Sequence, residues 1–175
     1  LMENLALSRL YVDSLFGRRR RLFHFLTGNE KLCEDGKRRA RNSPIQSLSS
    51  DLLIVIAYMI INSREYIDNG WKLINEVHDS LTLEIPIEDI PSCIVTIERI
   101  VSNKLNEFLK SEFNINLNVP VEVEFEIGKS LGSMIKWDFT EDNLEKIITN
   151  LMREDQHGKK DKQKVRKVKL SRRQR

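Results

Sequence analysis

Cysteine is scarce: Cys33 and Cys93 are the only two among 175 residues. Two cysteines build neither a disulfide framework nor a CxxC zinc site, and such usage fits a reducing compartment. Long apolar runs are missing as well. The longest, Leu52 to Ile61, has ten residues, against the roughly 20 that cross a bilayer, so no membrane partner is expected. The N-terminus lacks the apolar stretch and cleavage site of a secretory leader. No internal repeat is visible. Beyond Met152 apolar side chains nearly vanish, which predicts a disordered basic tail over 153–175.

What is present is charge in blocks. Residues 1–41 hold ten basic and five acidic side chains, residues 42–152 hold eight and eighteen, and residues 153–175 hold eleven and three. The overall net charge of +3 conceals this mosaic. About 40% apolar residues supply one core. The chain opens on Leu1-Met2 within a helical pattern, as a piece of something longer would.

The pattern predicts an α+β fold, with helices packed on a small antiparallel sheet. A helix is expected over 3–15, closed by Gly17 and followed by four arginines, Arg18 to Arg21. Residues 22–42 read as a basic connection because Thr27-Gly28-Asn29 and Asp35-Gly36 are turn signals. Ser43-Pro44-Ile45-Gln46 reads as a capped helix start, with the helix running to about Asn62. Trp71–Val77 and Leu81–Ile85 form a hairpin around His78-Asp79-Ser80. An amphipathic helix follows over 89–112, a strand with an acidic face over 121–127, and a helix over 142–152. The expected segments are therefore 1–42, 43–138, 139–152 and 153–175.

Three places carry candidate chemistry. A carboxylate at the hairpin tip, Asp79, suits a divalent ion, since Mg²⁺ is held by one or two carboxylates with phosphates and water; Asp and Ser are equally ordinary turn residues. Arg38, Asn42 and Gln46, four apart, could contact a duplex minor groove, where amide donors meet acceptors common to every base pair; Gln46 could instead close a capping box. Arg18, Arg19 and Arg20 offer guanidiniums to phosphates, or form a solvated charge run.

In order and spacing these pieces resemble one family. Ser14-Leu15-Phe16-Gly17-Arg18-Arg19-Arg20, then Arg38-x-x-x-Asn42-x-Pro44-Ile45-Gln46-x-x-x-x-Asp51, then Val77-His78-Asp79-Ser80 resemble the C-terminal palm and fingers of the family A (DNA polymerase I type) DNA polymerases. The resemblance runs from about residue 8 to about residue 128. It implies that Asp79 ligates catalytic Mg²⁺, with His78 beside the primer terminus. It implies that Arg38, Asn42 and Gln46 track the template–primer duplex and that Arg18, Arg19 and Arg20 form a DNA-facing basic turn. Ser80 stands where many members have Glu, and Ser47 where Gly is usual.

The family's second metal-binding aspartate and the fingers Lys and Tyr that hold the deoxynucleoside triphosphate lie upstream. No R-x-x-x-K-x-x-x-x-x-x-Y-G pattern occurs here. The resemblance therefore implies a nucleotidyltransferase segment that needs an N-terminal polymerase portion to act on primer–template DNA. Its expected location is cytoplasmic or nucleoid-associated, or the host cytoplasm for a viral gene. A non-catalytic DNA-binding remnant and a replication assembly module are the alternatives.

Overall fold

The computed structural model describes residues 2–157 and 166–172. They divide into two compact units, Leu1–Ile54 and Val55–Arg175.

In the first unit, helix α1 (Met2–Arg9) ends where Leu10 takes a left-handed φ of 61°. Strands β1 (Tyr11–Asp13) and β2 (Arg19–Arg21) then pair antiparallel, with Tyr11 opposite Arg21 and Asp13 opposite Arg19. The helix expected to residue 15 thus stops at Arg9, and most of the arginine run is a strand rather than a turn. Gly17, at φ 82°, supplies the left-handed residue of the connecting loop at no steric cost. Opposite charges at Asp13 and Arg19 favour the pairing.

Helix α2 (Glu30–Ile61) is the larger correction. Its start is fixed by Asn29, whose side-chain oxygen accepts from the Leu32 N–H at 3.3 Å and whose carbonyl accepts from the Cys33 N–H at 2.9 Å. Ser43 and Pro44 lie inside the helix, so the helix does not start there and Gln46 closes no capping box. Glu34–Lys37, Asp35–Arg38 and Asp35–Arg39 ion pairs at i,i+3 and i,i+4 support the charged first half. Gly36 marks close packing rather than a turn, because a Cβ there would lie 2.8 Å from the Phe25 ring. Ala6, Leu22 and Ala40 are fully buried, with Val12 and Phe25 packed against them.

An interior proline costs a helix about 3 kcal/mol. The second half of α2 offsets this through burial of Leu52, Leu53, Val55, Ile56, Ala57 and Ile60, where each large aliphatic contributes roughly 1.5–3 kcal/mol. By length and composition α2 is also apolar enough to cross a bilayer, which the ten-residue run alone did not reveal. Those buried side chains and an ion pair at Asp51 are what a core helix requires.

In the second unit, Ser63 caps a short helix α3 (Arg64–Asp68), accepting from the Tyr66 N–H. Strands β3 (Lys72–Val77) and β4 (Ser80–Ile85) form the expected hairpin, with a bulge between Leu73 and Asn75. Helix α4 (Ile90–Arg99), a π turn (Ile100–Lys104) and helix α5 (Leu105–Phe113) follow as one rod. Ile97, Val101, Leu105 and Leu109 are all buried at a constant spacing of four. A 3.6-residue repeat drifts off that spacing, and the wider π turn restores it.

Strand β5 (Val123–Gly128) pairs with β6 (Ile135–Lys136), and α6 (Glu141–His157) closes this part of the chain. Gly128 is required by a close approach: a Cβ would stand 2.5 Å from the Ser133 carbonyl oxygen.

The sheet holds a further correction. Residues Arg166–Arg172, expected to be disordered, form strand β7, and the sheet order is β3-β4-β7-β5-β6. Val168 lies in register with Leu83 and Ile127, and Leu170 with Leu81 and Phe125; Lys169 falls between Thr82 and Glu126. Alternating apolar and basic positions thus match an apolar and acidic slot, a period-2 signal that the charge run conceals. The rest of the expected tail is part of α6 as far as His157, or lies outside the described residues. The acidic face of β5 is likewise less solvated than expected: Glu124 is half-buried and paired with Lys136 at 2.9 Å.

Candidate nucleic-acid interface and carboxylate hairpin

In the first unit the β1–β2 loop sets the geometry. The Ser14 N–H donates to the Arg18 carbonyl at 2.8 Å, and the Arg18 N–H donates to Ser14 Oγ at 3.0 Å. This brings Arg18 over α2, where its guanidinium pairs with Asp51 at 2.5 Å and reaches the Ser47 carbonyl at 3.5 Å. Asp51 is buried and also accepts from the Ser14 hydroxyl at 3.4 Å. It is a positioning carboxylate for Arg18, a role that spacing in sequence does not reveal.

Arg19 is held from two sides. Its guanidinium makes a bidentate contact with Asp13 at 2.8 and 3.1 Å and lies 3.7 Å from the centre of the Tyr11 ring. The hydrogen bond from Arg19 holds the Asp13 carboxyl below its ordinary range. Arg20 is exposed. Together Arg18, Arg19, Arg20, Gln46, Ser47 and Ser50 line an open depression of about 310 Å³. Ser50 was missed by sequence reasoning; it falls one helical turn beyond Gln46.

Arg38, Asn42 and Gln46 are exposed on one face of α2, since residues four apart on a helix stack along it. Only Gln46 lines the depression. Arg38 is tied to Asp35 at 2.6 Å, and this contact, followed by Arg39, holds the Asp35 carboxyl down to about 2. Along this face run cationic and amide donors, with the exposed Ile45 beside Asn42 and Gln46.

The second unit carries His78 and Asp79. They are the two turn residues of the β3–β4 hairpin, with Val77 opposite Ser80. His78 takes a φ of 55°, and the Ser80 hydroxyl donates to the Val77 carbonyl at 2.9 Å, locking the tip. Asp79 is half-buried, and no cation pairs with it among the described residues. Nor is there a cluster of three or more His, Cys, Asp or Glu side chains arranged for a metal among those residues. An oxygen ligand fits Mg²⁺, but one carboxylate is only part of a site.

Residues 2–133 match the family model of DNA polymerase family A. The chain belongs to that family. It is 28% identical over 122 residues to the thermostable DNA polymerase I of Thermus filiformis, covering 70% of this chain and 13% of the relative. It is 30% identical over 136 residues to DNA polymerase theta of Drosophila melanogaster, covering 74% of this chain and 6% of the relative. To the thermostable DNA polymerase I of Thermus aquaticus it is 31% identical over 121 residues, covering 69% and 13%. The chain therefore spans a small fraction of the length of these relatives. As a family A segment it is α+β, and β3, β4 and β5 lie within the matched region while β6 and β7 lie beyond it.

Proposed function

We propose that this chain is the C-terminal palm-and-fingers part of a template-directed DNA polymerase, supplying one metal-binding aspartate, Asp79, and the primer–template contacts. The observation that carries the reading is the hairpin tip. Asp79 is fixed by a locked two-residue turn, is partly withdrawn from water, and has no cation of its own within a segment matched to family A. A pair of Mg²⁺ ions at such a centre stabilises the attacking and leaving oxygens of nucleotidyl transfer. Asp79 would hold its share of those ions, while His78, exposed at the same tip, lies where a primer terminus would approach.

The duplex is bound by the other unit. Arg18, Arg19 and Arg20 grip phosphates, and Arg38, Asn42 and Gln46 follow the minor groove without selecting sequence. Binding should weaken steeply with salt, with a log–log slope of about −0.9 per phosphate contact. Replacing Arg20 by Ala should reduce that slope by about one contact. An unchanged slope would remove Arg20 from the interface.

A second carboxylate, the triphosphate-binding residues and the remaining polymerase come from an N-terminal portion. The 175-residue chain alone should not extend a primer with Mg²⁺ and deoxynucleoside triphosphates; robust extension by the purified chain would refute this. Combined with such a portion, Asp79→Ala should abolish extension and leave duplex affinity nearly intact. Retained extension would move the metal site elsewhere.

A further inference from the structure

The sheet is divided by its middle strand. Hairpins β3–β4 and β5–β6 share no pairing with each other, and all ladder contacts between them run through β7. The family match contains β4 and β5 but ends at residue 133, before β7. The matched segment therefore has two strand edges facing one another across a gap one strand wide, about 9–10 Å between β4 and β5. Such a gap needs an occupant, and within the family segment nothing supplies it.

The walls specify what fits. Leu81 and Leu83 on β4 and Phe125 and Ile127 on β5 are all fully buried, and the alternate positions are Thr82, Glu84, Glu124 and Glu126. An occupant must run antiparallel to both walls, apolar at every second position and not acidic opposite the glutamates. β7 meets this description from Lys167 to Ser171, and its two ends are basic, with Arg166 opposite Ile85 and Arg172 opposite Val123. The slot also runs to the hairpin tip, because Ser171 is opposite Ser80, the neighbour of Asp79.

We propose that the slot between β4 and β5 is a strand-acceptor site, that β7 is its exchangeable occupant, and that an extended segment of the polymerase portion outside this chain displaces β7. The proposal rests on the polymerase reading above, in which a second carboxylate must reach Asp79. Two routes bring a strand alongside that tip by backbone pairing. The free edge of β3 is one, but five of its six residues are exposed, so a strand added there buries little. The slot is the other. While β7 fills it, the incoming segment is excluded, and the basic C-terminal strand acts as a built-in competitor of polymerase assembly.

Exchange can be measured in the full chain with a specific protease site placed between His157 and Arg166 and cut after folding. A dye-labelled peptide of residues 166–172 should enter the cut chain at one copy per chain. A tethered strand competes at roughly millimolar effective concentration, so the uncut chain should take the peptide at least about tenfold more weakly. Diluting the peptide away should expose β4 and β5 amides to hydrogen exchange. Equal uptake by cut and uncut chains, or amide protection unchanged without the peptide, would overturn the slot assignment.

Leu170→Asp in an uncut chain provides the second variant and should take up the peptide in trans; refusal by a folded Leu170→Asp chain counts against the proposal. The Thermus aquaticus polymerase, shortened to end where its match to this chain begins, is the assembly probe. The chain freed of β7 should capture it about tenfold better than the uncut chain, with added peptide competing. Equal capture, or capture of neither, would overturn displacement by that portion. Primer extension is not a readout of the exchange, so a failed polymerase reading would leave the exchange result standing.

Discussion

Arg18 and Asp51 show how one buried carboxylate organises an exposed cationic surface. Asp51 is 7% exposed while the Arg18 side chain is 54% exposed, so the pair is anchored at its acidic end and wet at its basic end. Replacing Asp51 by Ala leaves the Ser14 hydroxyl without its acceptor and the guanidinium with the Ser47 carbonyl alone. Hydrogen bonds to charged groups contribute about 1.5–3 kcal/mol, and screening on the Arg18 side brings the expected loss to about 1–2 kcal/mol. Urea unfolding measures it; a change under about 0.3 kcal/mol would mean that Asp51 positions nothing. Asp35 gives a pH signature. Its folded carboxyl is held down to about 2 by Arg38 and then Arg39, so its contribution is complete above the unfolded value near 3.8 and disappears as pH falls through about 2. Asp35→Asn should flatten the acid limb of stability between those values. At the other extreme, burial and then Asp89 push the Cys93 thiol up to about 12. Stability should decline above pH 9 as the unfolded thiol ionises first, and Cys93 should resist alkylation in the native state at neutral pH.

Among the elements, those carried by side-chain periodicity were legible, and those decided by tertiary context were not. The β3–β4 hairpin and the apolar face Ile90, Ile94, Ile97, Val101, Leu105 and Leu109 follow directly from spacing. Ser43-Pro44-Ile45-Gln46 satisfies every local rule for a helix start, yet α2 passes through it because Asn29 caps earlier and the ion pairs at Asp35 stabilise the turns between. Gly36 misleads for a related reason: its lack of a side chain serves the Phe25 contact, which only the fold reveals. The candidate site divides the same way. Asp79 was readable as a hairpin tip, while the depression joining Gln46 to Arg18, Arg19 and Arg20 depends on where β2 meets α2. Gly128→Ala tests a contact of this hidden kind. Its Cβ would meet backbone rather than a movable side chain, so the expected destabilisation is about 1–3 kcal/mol by thermal or urea unfolding. A neutral Gly128→Ala chain would mean that the Leu131–Ser133 turn yields freely.

For the molecule as a whole, the mosaic of charge is a structural pattern. The first basic block is built into the β1–β2 hairpin and α2, and the last one supplies a central strand between acidic positions. That strand also fixes a timetable. Ser80 pairs with Ser171, so β4 leaves the ribosome long before its partner exists. At synthesis rates of roughly 5–20 residues per second, the wait is on the order of 5–20 s. For all of it the β4 edge, and for roughly its second half the β5 edge as well, lined by some of the most buried side chains of the finished fold, stand open in the nascent chain. Successful production of this protein therefore depends on what shields those edges in the interval, and chaperone supply or a slower induction temperature should decide its soluble yield more than its final stability does.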